Sequence, residues 1–241
     1  MKYGIFGDVH GNIEAFEKVI EFYKNENIDE YLCVGDIVGY GTNPSECIEE
    51  IKRLKAETVC GNHDWAAAGI LPLYDLNPAA KSAVEWTREN LNLNDKEFLK
   101  KLKLINEKKD FYVVHGSLYK PGLFPYILDV ELAYQCFCEM NRDLCFVGHS
   151  HRAGFFFMQD ERVDYTRESL VKVKPEVKYI VNVGSVGQPR DGDPRAAFCI
   201  FDTDKSTIEI KRVDYDIETA KNSILNAGLP EVLAYRLLEG R

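Results

Sequence analysis

The chain has 241 residues, 45% of them hydrophobic, enough for one large core, and it carries no linker, low-complexity tract or internal repeat to divide it. Its net charge of −9 disfavours a nucleic-acid groove, which needs a basic surface, although bound divalent cations would reverse the local sign for a small anionic substrate. The longest apolar stretch, Ala153 to Met158, is far too short for a bilayer, and the N-terminus enters a strand without a basic, cleavable leader.

These features predict a soluble, cytoplasmic chain with no membrane partner; they leave its oligomeric state open. Seven cysteines (33, 47, 60, 136, 138, 145 and 199) lie largely in apolar runs and read as buried reduced thiols rather than disulfides. Cys136 and Cys138 read as half of a helix face.

In chain order, the apolar run Tyr3-Gly4-Ile5-Phe6 predicts a strand leading into Asp8 and His10. Residues 12–24 place Ile13, Phe16, Val19, Ile20 and Tyr23 on one helical stripe. The run 31–34 leads into Asp36, in Gly35-Asp36-Ile37-Val38-Gly39. Asn43-Pro44-Ser45-Glu46 predicts an N-cap, a first-turn proline and a capping-box glutamate for a helix to about Leu54.

The run 58–60 precedes Asn62, His63 and Asp64. Asn77-Pro78 starts a helix running through Trp86 to Leu91. The basic segment Lys96–Lys109 holds Phe98, Leu99, Leu102 and Ile105 at helical spacing and reads as a solvated amphipathic helix. Together, residues 66–110 are expected to form a helical insertion partly covering the active site. The run 111–114 precedes His115, and 144–147 precedes His149 and His151. Strands are then predicted at 154–158, 162–166, 179–183, 196–201 and 207–213, and helices near 216–227 and 230–238.

Apolar runs of this length read as strands buried on both faces, with the polar residues at their C-terminal ends, where open α/β sheets place their sites. The expected fold class is α/β: a single domain, 1–241, of two stacked mixed β-sheets flanked by helices.

All five histidines lie in short motifs that hold a glycine or an Asn-Asp pair at such a strand end, His149 and His151 sharing Gly148-His149-Ser150-His151. Imidazole is the commonest protein metal ligand. Asp, His and Asn are oxygen and imidazole donors, suited to manganese, iron, nickel or zinc rather than to a thiolate site. Six or seven ligands exceed the four of a structural zinc and suffice for two ions, with Asp36 the natural bridge. Two ions ~3.5–4 Å apart can hold a hydroxide for in-line attack and clamp a phosphoryl group.

The ordered set Asp-x-His, Gly-Asp, Gly-Asn-His-Asp, His-Gly and Gly-His-Ser-His, over roughly residues 4 to 199, resembles the calcineurin-like metallophosphoesterase superfamily. The resemblance implies a four-layer αββα sandwich. It implies one divalent ion, most often manganese, on Asp8, His10, Asp36 and His151, and a second on Asp36, Asn62, His115 and His149. His63 is left as the catalytic acid that protonates the leaving oxygen or steadies the phosphoryl group.

One departure stands out. Protein Ser/Thr phosphatases of the superfamily carry Asp-Arg-Gly a few residues after the bridging aspartate, whereas these positions here read Gly39-Tyr40-Gly41. Their phosphate-gripping arginine, the usual partner of the catalytic histidine, is thus lacking, and Asp64 is the only adjacent candidate to orient His63. A glycine-rich loop from Asn182 to Arg195 offers Arg190 and Arg195 as replacements, their alternative being loop salt bridges with Asp191 and Asp193. This loop resembles a prokaryotic branch that includes phosphodiesterases and dinucleoside polyphosphate hydrolases.

Tyr40, Trp65, Phe124 and Tyr126 lie near the motif loops, where they would either stack a base or simply pack. The expected activity is dinuclear hydrolysis of a small phosphodiester or nucleotide, a dinucleoside polyphosphate among the candidates. The rivals are a protein Ser/Thr phosphatase, a nuclease and a non-catalytic scaffold of the same fold.

Overall fold

The computed structural model describes residues 1–74 and 76–241. β1 (Lys2–Phe6) leads through α1 (Ile13–Tyr23) to β2 (Glu30–Cys33), α2 (Pro44–Leu54) and the two-residue β3 (Glu57–Thr58). A short α3 (Asn62–Ala67) is followed by α4 (Pro78–Asn90), α5 (Leu93–Lys100) and β4 (Ile105–Glu107). β5 (Phe111–Val114), α6 (Val130–Cys138) and β6 (Leu144–Val147) come next. Six strands then run nearly without interruption: β7 (Gly154–Gln159), β8 (Arg162–Thr166), β9 (Leu170–Lys172), β10 (Lys178–Asn182), β11 (Ala196–Asp202) and β12 (Thr207–Val213). α7 (Ile217–Asn226) and α8 (Glu231–Glu239) complete the order.

One six-stranded sheet has the order β3-β2-β1-β11-β12-β9, the other β4-β5-β6-β10-β7-β8. In the first, β1, β2 and β3 run parallel and β11 returns antiparallel beside β1. In the second, β5, β6 and β10 run parallel. Parallel neighbours leave a sheet at the same edge, so three loops open together from each sheet.

Side chains alternate across each sheet and divide the apolar residues into layers. Ile5, Leu32, Val34, Phe146, Phe155 and Phe201 belong to the core between the sheets. Phe6 and Cys33 point the other way, into a core shared with Phe16, Val19 and Tyr23 of α1 and with Leu233 and Leu237 of α8. Beyond the second sheet, Val114, Cys145 and Ile180 meet Ala133, Cys136 and Phe137. The result is the expected helix–sheet–sheet–helix sandwich. No helix among the described residues is long and apolar enough to cross a membrane.

Four local expectations need correction. The helix over Lys96–Lys109 stops at Lys100, and Ile105 lies instead in β4, opposite Val114. Its spacing from Leu102 fits a helix, but the free edge of β5 offers backbone partners that a solvated helix end lacks. The insertion 66–110 is therefore not wholly helical. Asn43 precedes α2 as predicted, yet its side chain caps nothing, and its Oδ1 accepts from the Thr42 hydroxyl instead. All seven cysteines are free, but Cys138 is exposed at the end of α6 rather than buried.

Candidate metal centre

The candidate ligands arrive from two pairs of parallel strands, one pair in each sheet. The loop after β1 carries Asp8 and His10, that after β2 Asp36, that after β5 His115, and that after β6 His149 and His151. Five of these six residues, all but His115, have positive φ, between 49° and 65°. Left-handed backbone costs a non-glycine residue roughly 1 kcal/mol or more, so it persists only where neighbours enforce it. Here they do: Asp8 N–H donates to the Gly35 carbonyl (2.9 Å), and His10 N–H to that of Asp36 (3.0 Å). The turns swing side chains from separate strands towards one point.

Three triads of donor atoms result, each with its atoms within 4.8 Å of one another: Asp8–His10–His151, His10–Asp36–His63 and Asp36–His115–His149. All the members are buried. Asp36 Oδ2 lies 3.6 Å from His10 Nε2 and 3.3 Å from His115 Nε2. Asp8 Oδ1 lies 3.3 Å from His151 Nε2. Space for the Asp36 carboxylate depends on Gly61, since a Cβ there would collide with Asp36 Oδ1.

The imidazole tautomers follow from the backbone. Nδ1 faces a carbonyl oxygen in His10 (Val38, 3.2 Å), His115 (Val34, 2.8 Å) and His151 (Gln188, 2.6 Å). A carbonyl only accepts, so each Nδ1 carries the proton and each Nε2 lone pair turns inward. His10 Nε2 and His151 Nε2 then confront each other at 3.0 Å, which needs a proton or a cation between them. Burial pulls the His10 pKa well down and, with the charge of Arg190, that of His151 also. A proton is therefore the poorer solution.

At the second cluster, burial opposes protonation of His115, but Asp36 outweighs it and raises the imidazole to about 9. His115 Nε2 meets His149 Nδ1 at 3.1 Å. Asn62 Oδ1 is buried and accepts no hydrogen bond. An acceptor without a donor beside converging lone pairs and carboxylates fits divalent cations, and the donors are of the oxygen and imidazole type such ions take.

His63 joins the centre at the start of α3. Its backbone N–H donates to Asp36 Oδ1 (2.9 Å), and its ring packs on Tyr40 (4.6 Å between centroids) and His10 (4.9 Å). Its Nδ1 is buried without a partner, against Gly39, where any Cβ would press on that nitrogen. Burial holds its pKa down to about 4.

Asp64 does not orient this ring. Its carboxylate accepts backbone N–H groups from Asp36 (2.8 Å), Ile37 (2.8 Å), Val38 (3.2 Å) and Gly61 (3.0 Å), tying the β2 loop to α3. Burial and the charge of Asp36 still push its carboxyl up to about 7 against those donors.

The two loop arginines part company. Arg190 places its guanidinium 5.4 Å above the Tyr40 ring and bonds Gln188 Oε1 through Nη2 (2.8 Å). Arg195 stays away from the centre: it is exposed and holds Asp193 through Nε (3.0 Å) and Nη2 (2.6 Å). Asp191 is taken by Arg212.

Tyr126 stacks on the His149 ring (3.8 Å, 12°), and Trp65 meets Phe124 edge-on (5.9 Å). Asn62, Leu71, Pro72, Tyr74, Leu76, Phe124, Tyr126 and His149 wall a cavity of about 350 Å³. Of the segment 66–110, Leu71, Pro72, Tyr74 and Leu76 share this cavity with the candidate ligands Asn62 and His149. α4 and α5 instead bury Ala83, Val84 and Leu99 in the core shared with α1.

Sequence reasoning missed Gln188, whose carbonyl fixes His151 and whose side chain holds Arg190. It also missed Arg236, which donates to the same Gln188 Oε1 from α8 (3.2 Å). The first lay inside a flagged loop; nothing local marks the second.

Known proteins agree with this architecture. An uncharacterized protein of Methanocaldococcus jannaschii is 39% identical over 98% of this chain and 97% of its own length. A metallophosphoesterase from Sphaerobacter thermophilus is 36% identical and superposes with a TM-score of 0.87 over 100% of this chain and 99% of that one. A hypothetical protein from Pyrococcus horikoshii shares the fold at 20% identity, with a TM-score of 0.81 over 100% and 98% of the two chains. The model of the calcineurin-like phosphoesterase superfamily domain matches residues 1–206, so the chain belongs to that superfamily of metal-dependent phosphoester hydrolases.

Proposed function

We propose that this chain is a dinuclear phosphoesterase that hydrolyses a small phosphodiester or nucleotide. One divalent ion would be held by Asp8, His10, Asp36 and His151, the second by Asp36, Asn62, His115 and His149. The observation that carries the reading is the single oxygen Asp36 Oδ2, which stands between His10 Nε2 and His115 Nε2. When bound, such ions supply Lewis acidity at the phosphoryl oxygens and lower the pKa of the attacking water.

The protein's own groups do the positioning. Asp36 Oδ1 is occupied by the His63 N–H, which turns the other oxygen to the centre. With Nδ1 closed off by Gly39, His63 offers Nε2 to the leaving oxygen. Burial keeps the ring neutral near pH 7 in the metal-free chain, and an anionic phosphoryl group beside it would favour the imidazolium that a proton donor needs, against the charge of the cations. Arg190 lies over Tyr40, the residue that stands in the sequence where protein phosphatases have their arginine, and would stabilise spreading negative charge from there.

The direct test strips the protein with chelator, reloads it with Mn²⁺ and measures metal content by mass spectrometry. Hydrolysis of a dinucleoside tetraphosphate and of an aryl phosphodiester is followed alongside. Two ions per chain with cleavage of either ester are expected. A single ion, or full loading without turnover, refutes the proposal, and turnover of a phosphoserine peptide alone transfers the reading to a protein phosphatase.

A further inference from the structure

Two guanidinium groups meet on one amide oxygen beside the candidate centre. Arg190 donates to Gln188 Oε1 through Nε (3.3 Å) and Nη2 (2.8 Å), and Arg236 through Nη1 (3.2 Å). Like charges gathered this way repel unless an anion separates them. Among the described residues, neither arginine forms an ion pair, because the nearby acids Asp191 and Asp193 are held by Arg212 and Arg195.

The hydrogen-bond account is equally one-sided. Gln188 is only 1% exposed, and its Nε2 is buried without a partner. Arg236 Nε is also buried and unpartnered. Both orphaned groups are donors, and they flank an oxygen that already accepts three N–H bonds. Buried donors without acceptors cost free energy until an acceptor arrives, and a pair of guanidinium forks suits phosphate oxygens.

The place is set by the backbone. The Gln188 carbonyl accepts from His151 Nδ1 (2.6 Å), and Arg190 N–H donates to the His151 carbonyl (3.0 Å). Arg190 covers Tyr40, whose ring lies against His10 and His63. The arginine pair thus adjoins the His10–His151 side of the centre. Arg236 comes from α8, beyond residues 1–206 where the superfamily model matches.

We propose that Arg190, Arg236 and Gln188 Nε2 form a second anion subsite that holds a phosphate other than the one being hydrolysed. The substrate then carries at least two phosphate groups, one at the centre and the next on the arginines, as in a polyphosphorylated nucleotide. This rests on the phosphoesterase reading of the centre. Arg190 serves both groups, whereas Arg236 reaches only the second and is the specificity-determining residue.

The test compares Arg236→Gln with the wild type in two ways. With Mn²⁺-loaded enzymes, the ratio of kcat/KM for a dinucleoside tetraphosphate to that for bis(p-nitrophenyl) phosphate is expected to fall about tenfold or more, mainly through KM. With metal-free protein, calorimetric titration with inorganic tripolyphosphate is expected to weaken by a similar factor. Arg236→Lys, which keeps the charge, should recover part of both losses.

An unchanged ratio, an unchanged affinity, or no binding of tripolyphosphate by the wild type overturns the subsite. Equal losses in the Lys and Gln variants with a lowered Tm mean a structural role and overturn it too. If the wild type cleaves neither ester, the proposed reaction fails, and the calorimetry alone decides the subsite.

Discussion

Around His10 and His151 the wall is charged and hydrogen-bonded: Tyr40 lies on His10, Arg190 lies on Tyr40, and Gln188 links His151 to two arginines. Around His115 and His149 it is apolar: Tyr126 covers His149, and Phe124, Leu71, Pro72 and Leu76 enclose the space beyond. Inside, the two halves are alike, each pairing an aspartate with two imidazoles. Apart from the Asn62 amide, which stands on the second side where the first has a carboxylate, it is their surroundings that distinguish them. The contrast suits a substrate whose reacting phosphoryl group lies across the middle, with further negative charge towards the arginines and an apolar portion towards Tyr126.

The sharpest way to break this picture is to remove what the halves share. Asp36→Asn takes away the charge common to both clusters, and kcat/KM is expected to fall by about 10³-fold or more, with metal content below two per chain. Full loading and activity in that variant would show that the halves do not depend on a common carboxylate.

Next in size is His63→Gln, which leaves the donors of both proposed ion sites in place. It should keep both ions and lower kcat by about 10²–10³-fold, read by single-turnover kinetics. Loss of metal with loss of rate would make His63 a ligand, in line with its place in the His10–Asp36 triad.

The smallest effect sharpens the contrast most. Tyr126→Ala removes the aromatic face on the apolar side and should raise KM for an aryl phosphodiester by about 0.5–1.5 kcal/mol in binding. A dimethyl or other small alkyl diester should respond less. Equal changes for both would mean that the apolar wall takes no part in holding the ester.

Most of the sheet framework was legible in the sequence because each ligand follows a short run of apolar residues. Such runs pair as strands, and parallel pairing then gathers whatever follows them. Asp8, His10, Asp36, His115, His149 and His151 meet for this reason, although the last stands 143 positions after the first. What was not legible depends on competition or distance. Ile105 satisfies a helical spacing, and only the waiting edge of β5 makes it a strand. Leu170–Lys172 is too short to announce itself and exists by pairing with β12. Arg236 sits on an ordinary amphipathic helix, and its meeting with Gln188, 48 positions earlier, leaves no local trace. Asp64 was noticed for its closeness to His63, but the sequence could not show that four backbone amides occupy it.

Those four amides bear on how the protein lives with its metal. A zinc finger folds only when its ion arrives, so the ion must be present at birth and cannot be exchanged without unfolding. Here the loop bearing Asp36 is knitted to α3 by protein atoms alone. Folding and metal acquisition are thereby expected to be separate events, so that the chelator-stripped chain stays folded and accepts ions again. The metal carried is then expected to follow the supply around the mature protein, and turnover to change with that supply without new synthesis.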